Sequence, residues 1–255
     1  MPELPEVEAV CRKLRRDAVG ATIAAARPAL PLGGRRIAAI DRRGKNILIR
    51  LDEGLTIRVH LRMTGNLYVI PDVRFRPAAT RAWFELDGGR ALVLDDMRAL
   101  GVVELLGTRE AERLMADLGV EPLSDGFTPE WLIGAARRSR SPAKLFLMDQ
   151  KRIAGLGNIY SAEALFRARI HPAKPLNLLS RPRLKGLHAA IVAILDDAVQ
   201  SACNAYSGPG QFEAGETFPL AVYGKEGQAC PRCRRRIRRI TQAGRSTYFC
   251  PGCQR

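Results

Sequence analysis

The chain has 255 residues, 41 Lys+Arg against 26 Asp+Glu, and a formal net charge of +15. That length suits one large domain or two modest ones, and a composition of 46% hydrophobic and 26% charged residues excludes wholesale disorder. The longest uninterrupted apolar run, residues 189–195, is too short to span a bilayer, and the acidic, Pro-rich start lacks a basic-then-apolar leader. Neither a membrane protein nor a secreted one is expected.

From Glu3 to Val19, the residues Val7, Val10, Cys11, Leu14 and Ala18 recur on one helical face, with Gly20 as a stop. From Ile37 to about Leu106 the pattern changes to short β-rich runs punctuated by Asp52-Glu53-Gly54 and Asp87-Gly88-Gly89. Antiparallel strands at this spacing predict a sandwich or barrel. In the run 55–62, Leu55, Ile57, Val59 and Leu61 alternate with Thr56, Arg58, His60 and Arg62. The second face, with Arg58, His60 and Arg62, suits phosphates. Residues 118–126 are rich in breakers and read as an interdomain linker.

Beyond that point, helices are expected near 129–149, 158–168 and 180–202. Gly155-Leu156-Gly157-Asn158 opens the second of them. Two glycines there expose backbone N–H groups to an oxyanion, with Asn158 placed to add an amide donor. His171 and His188 read as structural.

Four of the six cysteines form Cys230-Pro-Arg-Cys233 and Cys250-Pro-Gly-Cys253, with sixteen residues between the inner pair. Two such knuckles place four thiolates around one tetrahedral zinc, a structural site because no position is left open. Between them, residues 234–240 and 242–249 read as two strands of a hairpin turning near Ala243-Gly244, with Arg245 at its tip. Cys11 and Cys203 read as buried small hydrophobes. The charge is uneven. Residues 1–125 hold 20 Lys+Arg and 18 Asp+Glu, residues 126–255 hold 21 and 8. That places a polyanion surface mainly on the second half, although zinc with four thiolates subtracts about two units there.

The start, Met1-Pro2-Glu3-Leu4-Pro5-Glu6, can also be read for reactivity. Removal of Met1 leaves Pro2 with a secondary amine that is substantially neutral at cellular pH, unlike a lysine. Such an amine attacks an electrophilic sugar carbon to form an iminium, and Glu3 can move protons to the sugar. Taken alone, the same residues read as ordinary helix-start chemistry.

In order along the chain stand PELPEVE, Gly44-Lys45-Asn46, His60-Leu-Arg-Met-Thr-Gly65 and Leu118-Gly-Val-Glu-Pro-Leu-Ser124. Leu147-Met-Asp-Gln150, Gly155-Leu-Gly-Asn-Ile-Tyr160 and Gly244-Arg-Ser-Thr-Tyr-Phe-Cys250-Pro-Gly-Cys253 follow. With these motifs the whole chain resembles the bacterial formamidopyrimidine-DNA glycosylase (8-oxoguanine DNA glycosylase/AP lyase) family. The resemblance implies an α+β architecture in three segments. These are an N-terminal helix plus antiparallel β-sandwich over 1–120, a helix-two-turn-helix domain over 121–224, and a four-cysteine β-hairpin zinc finger over 225–255.

It further implies that Pro2 attacks C1′ of an everted, damaged deoxynucleotide, that Glu3 protonates the sugar, and that Glu6 holds the geometry. Lys45 matches a lysine that contacts phosphate and assists elimination, and Arg245, His60 and Asn158 match phosphate ligands. Lys144 matches a further backbone contact, Glu163 a position near the base, and Met63, Arg98 and Leu100 the side chains that fill the void. The implied partner is damaged double-stranded DNA, handled by a monomer in the bacterial cytoplasm at the nucleoid, with one structural zinc ion.

The chain departs from the family where a wedge Phe is Leu100, where Asp-Pro-Arg is Asp96-Met97-Arg98, and where a Gly is Arg62. The family's His before Thr80-Arg81 is Ala79, and a lesion-capping loop at about 205–217 carries the unusual Ser207-Gly-Pro-Gly-Gln-Phe. Two alternatives stand beside this reading. One is an endonuclease VIII-like glycosylase for oxidised pyrimidines, whose usual Gly is Leu4 here. The other is a non-catalytic, zinc-stabilised DNA-binding module.

Overall fold

A computed structural model describes residues 2–210, 212, 215 and 217–255. The chain divides into two compact units, Met1–Asp117 with Val199–Thr217, and Leu118–Ala198 with Phe218–Arg255. This division differs from the three sequential segments 1–120, 121–224 and 225–255, because the chain returns to the first unit after residue 198.

In the first unit, α1 (Leu4–Asp17) buries Leu4, Val7, Val10, Cys11 and Leu14, the face its periodicity predicts. Eight antiparallel strands follow: β1 (Thr22–Arg27), β2 (Arg35–Arg43), β3 (Asn46–Leu51), β4 (Leu55–His60), β5 (Asn66–Ile70), β6 (Thr80–Leu86), β7 (Arg90–Asp95) and β8 (Val102–Gly107). They join in one sheet of order β5-β7-β6-β1-β2-β3-β4-β8. Ile23, Phe84, Leu92 and Leu94 from one half share a core with Ile37, Ile47, Ile49, Ile57 and Val59 from the other, and α1 joins them. Each such fully buried side chain stabilises the fold by about 1.5–3 kcal/mol.

The turns at 52–54 and 87–89 reverse β3 into β4 and β6 into β7, as the Asp-Gly signals predict. Helix α2 (Thr108–Ala116) closes the continuous part of the unit. Ala202 and Tyr206 return to the same core.

The second unit begins where a linker was expected, and residues 118–126 are built into it instead. Val120 bridges Ile153 in parallel, and Gly119 N–H donates to the Gln150 carbonyl at 2.8 Å. A Cβ on Gly119 would overlap the Arg152 backbone, so only glycine fits. The stretch 129–149 is two helices, α3 (Pro129–Arg137), capped by the Thr128 hydroxyl, and α4 (Ala143–Met148). Pro142 separates them, since it offers no helical N–H and drives Ser141 out of helical geometry.

Helices α5 (Asn158–Arg167) and α6 (Arg181–Ala205) follow, then the hairpin β9 (Arg238–Gln242) and β10 (Arg245–Phe249). By length and mean hydropathy α6 meets the requirement for a bilayer span. Its apolar positions Leu184, Leu187, Ile191, Ile194 and Leu195 are buried, as in a core helix.

Candidate active site and nucleic-acid contacts

Pro2 is buried immediately before α1, and Glu3 is the helix N-cap. The Glu3 side chain accepts the backbone N–H of Glu6, while Glu6 Oε2 accepts the N–H of Glu3 at 2.8 Å. This reciprocal capping box fixes both acids, which are 1% and 2% exposed. Glu6 Oε1 also accepts the N–H of Gly215 at 3.1 Å. The second acid thus ties the helix start to the segment after α6.

Further along α1, Glu8 fastens the helix to β2 through Arg42 at 2.9 Å. Burial opposes ionisation of Glu8, but Arg42, Arg12 and Arg15 hold its carboxyl below the usual range.

Strand β4 carries only part of the expected phosphate face. His60 is half-buried and pairs in register with Asn46, the neighbour of Lys45. Its Nδ1 accepts the N–H of Arg62 at 3.1 Å, which leaves Nε2 as the protonated donor. Burial, then the charges of Arg62, Arg58 and Lys45, lowers its pKa to about 4. The ring is therefore neutral at physiological pH. Lys45 is 8% exposed in the β2–β3 turn.

Arg58 already has partners within the sheet. It is engaged by Glu104 on β8 and by Asn46 Oδ1, the latter at 2.9 Å. Alternation along the strand places it on the right face but cannot reveal a cross-strand acid. Arg62 is exposed with φ of +55°, beyond the end of β4 rather than on its face.

Met63, Arg98 and Leu100 are exposed on two neighbouring loops. The residue that joins those loops is Asp96, which the sequence marks only as the first member of Asp96-Met97-Arg98. It is fully buried, accepting Thr64 Oγ1 at 2.5 Å and the N–H groups of Arg98, Leu100 and Gly101 at 3.2, 2.8 and 2.6 Å. Burial raises its pKa, but these donors outweigh burial and hold the carboxyl below the usual range. Thr64 lies 32 positions away in the chain, so no local spacing reveals Asp96 as the joint.

In the second unit, Asn158 opens α5 after Gly157, and its Nδ2 donates to Tyr223 Oη at 3.2 Å. Its Oδ1 is buried with no hydrogen-bond partner among the described residues. Gln150 shapes this turn, accepting Gly155 N–H at 2.9 Å and donating to the Leu156 carbonyl at 2.7 Å. Tyr223 packs edge-on against Tyr248 of β10.

Two further expected contact residues have protein partners. Lys144 is fully buried, and its Nζ donates to the Ser246 carbonyl at 3.0 Å and Thr247 Oγ1 at 2.8 Å. It holds β10 beside Arg245. Glu163, expected near the base, accepts the backbone N–H groups of Ala221, Val222 and Tyr223, each at 2.8 Å. Charged side chains buried this deeply need such partners, which sequence alone does not disclose.

The hairpin turns through Ala243 and Gly244, at φ of +46° and +73°, the two-residue geometry that suits the twist of its strands. Arg245 follows them and is exposed, as are Arg234, Arg235 and Arg238. At the hairpin's base the four sulfurs of Cys230, Cys233, Cys250 and Cys253 lie within 4.8 Å of one another. The Cys230–Cys253 and Cys233–Cys250 separations are 3.8 and 3.4 Å. Tetrahedral zinc with Zn–S bonds near 2.3 Å has S···S edges of about 3.8 Å, so these thiols fit one structural zinc ion. Bound there, the ion cross-links the two knuckles.

Known proteins share this arrangement. The N-terminal domain model of formamidopyrimidine-DNA glycosylase matches residues 1–103, and its H2TH domain model matches 118–207. A zinc finger model found in FPG and IleRS matches 227–255. The formamidopyrimidine-DNA glycosylase of Chloroflexus aggregans is 40% identical over 275 residues, covering all of this chain and 98% of that protein.

The crystal structure of MutM (FPG) from Thermus thermophilus superposes with a TM-score of 0.86 at 36% identity, covering 99% of this chain and 98% of that one. Lactococcus lactis Fpg in complex with DNA containing N7-benzyl-Fapy-dG gives 0.89 at 32% identity over the full length of both.

Proposed function

The chain belongs to the formamidopyrimidine-DNA glycosylase family, and from that premise we propose how its own residues excise a damaged base. It is a DNA glycosylase and AP lyase of base excision repair. Its substrates are oxidised purines, 8-oxoguanine and formamidopyrimidine, in double-stranded DNA. The Lactococcus lactis relative, held in a complex with a Fapy-dG derivative in DNA, supports that class.

The Pro2 amine, freed by removal of Met1, adds to C1′ of the everted nucleotide. The C1′–N bond breaks and the base leaves with its electron pair, while Glu3 takes the proton that the adding amine loses and delivers it to the ring oxygen as the sugar opens. The iminium so formed acidifies the C2′ proton, and its loss expels the 3′ phosphate. A second elimination expels the 5′ phosphate, and water then releases Pro2. Lys45 assists elimination from the β2–β3 turn.

His60 donates Nε2–H to a phosphate as a neutral ring, while Asn158 and Arg245 supply the second unit's phosphate contacts. Met63, Arg98 and Leu100 fill the vacated space. The three sequence segments serve as chemistry, grip and ribbon, in a monomer that works in the bacterial cytoplasm at the nucleoid.

The observation that carries this reading is the capping box at the chain start, which holds Glu3 beside Pro2 with its carboxylate already oriented by backbone. Borohydride tests it. Reduction during incubation with duplex DNA bearing an abasic site traps a covalent complex with the wild type. With Pro2→Gly, which exchanges the secondary amine for a primary one whose imine carries no fixed positive charge, trapping falls sharply. An untrapped wild-type protein with Met1 removed overturns the reading in favour of a non-catalytic module.

A further inference from the structure

Three large apolar side chains of the first unit, Met63, Met97 and Leu100, are 41%, 66% and 44% exposed and belong to the two loops joined by Asp96. These loops are held firmly. Asp96 N–H donates to the Ala79 carbonyl at 3.0 Å, and the Asp96 carbonyl accepts Arg81 Nε at 2.9 Å. Arg98 N–H is bound by the Asp96 carboxylate. The backbone is therefore anchored on both sides of Met97, the most exposed of the three.

Large apolar side chains exposed together on an anchored tip mark a surface shaped for contact. Exposed Arg62 and Arg98 stand next to these residues in sequence, placing cations beside the apolar tip. An apolar wedge bordered by cations matches a stack of bases bordered by phosphates. Leu100 is branched and cannot stack. A thioether chain is unbranched, polarizable and able to follow an irregular gap.

We propose that Met97 is a further duplex-inserting side chain, which forms with Leu100 a two-residue apolar wedge that keeps the base stack open while the lesion is everted. The proposal rests on the glycosylase reading above. It assigns Met97 to substrate specificity, since the everted state is reached at least cost for a damaged or mispaired base. The side chain contacts bases in the open state more than in the closed duplex, so it lowers the barrier to eversion without touching the sugar chemistry.

The test compares two substrates with full-length protein. One is a duplex containing 8-oxoguanine with 2-aminopurine as its neighbour, whose fluorescence rises on unstacking. The other is a single strand carrying a preformed abasic site, which requires no eversion from a duplex. In single-turnover excision from the duplex, Met97→Ala and Met97→Gln lose about tenfold, with a matching loss of the fluorescence rise, as expected when a buried thioether is withdrawn. Met97→Leu stays within about twofold because it keeps the apolar area.

All three cleave the single strand within about twofold of wild type, since its site is already unpaired. Wild-type excision and fluorescence in both Met97→Ala and Met97→Gln overturn the proposal, as does an equal loss on both substrates. A wild-type protein inactive on both substrates removes the glycosylase reading itself.

Discussion

The two halves of the chain use charge in opposite ways. Residues 1–125 hold 20 Lys+Arg and 18 Asp+Glu, residues 126–255 hold 21 and 8. In the first half, the polar groups that matter are buried and already bonded: Glu3, Glu6 and Asp96 all accept backbone N–H groups. In the second, much of the cationic surplus is exposed on the ribbon at Arg234, Arg235, Arg238 and Arg245. Proton transfer to a sugar needs a group fixed within hydrogen-bond reach, so rigidity serves the first half. Phosphates are bound through long-range attraction and counterion release, which exposed, flexible arginines supply.

Removing one proton from the first half gives the largest expected effect and sharpens this contrast. Glu3→Gln keeps an acceptor for the N-cap but carries no transferable proton, so excision falls by about 10²–10⁴-fold while the melting temperature holds. Equal loss of stability and activity makes Glu3 a cap alone.

Zinc removal comes next, and it acts on the other half. Chelation loosens the ribbon and lowers duplex affinity by about 10–100-fold, with unfolding confined to the second unit by hydrogen exchange. Exchange that spreads equally through β1–β8 breaks the comparison.

A smaller effect separates free from committed cations. Arg245→Ala lowers the slope of log K against log salt by about one unit, and Arg58→Ala leaves it unchanged because Glu104 and Asn46 already hold that side chain. A reversed order places phosphate contact on β4 after all.

The smallest effect is on stability and belongs to His60. Its pKa is about 4 when folded against an ordinary value of 6.5, so the unfolded chain binds more protons between those values. The stability that the neutral ring contributes is complete above pH 6.5 and is lost as pH falls toward 4. His60→Gln therefore narrows the difference in melting temperature between about pH 7 and pH 5, and an unchanged difference means that the ring is charged in the fold.

Much of this was legible along the chain because the signals are local. The α1 face, both Asp-Gly turns, the hairpin and the four-cysteine site each rest on residues a few positions apart or on short repeated spacings. What escaped depends on partners far away in sequence. Glu104 claims Arg58 from β8, residues 246 and 247 claim Lys144 across about a hundred positions, and residues 221–223 claim Glu163. Residues 118–126 look like a linker because breakers also mark places of close backbone approach, as at Gly119. The lesion-capping loop expected at about 205–217 includes positions 211, 213, 214 and 216, and with Met1 these lie outside the described residues.

The first unit is discontinuous in the gene, and that governs how the protein can be divided. Tyr206 donates its hydroxyl to Asn66 Oδ1 at 2.7 Å, and Asn66 Nδ2 donates to the carbonyls of Gly208 and Gly210 at 2.7 and 2.8 Å. A fragment ending at residue 117 loses these partners and the Ala202 and Tyr206 side chains of its core. An exchange of catalytic units between relatives therefore needs three crossover points, near 117, 198 and 217, inherited together. A single crossover leaves each hybrid with a foreign closing segment, so the two stretches are constrained to evolve as one module.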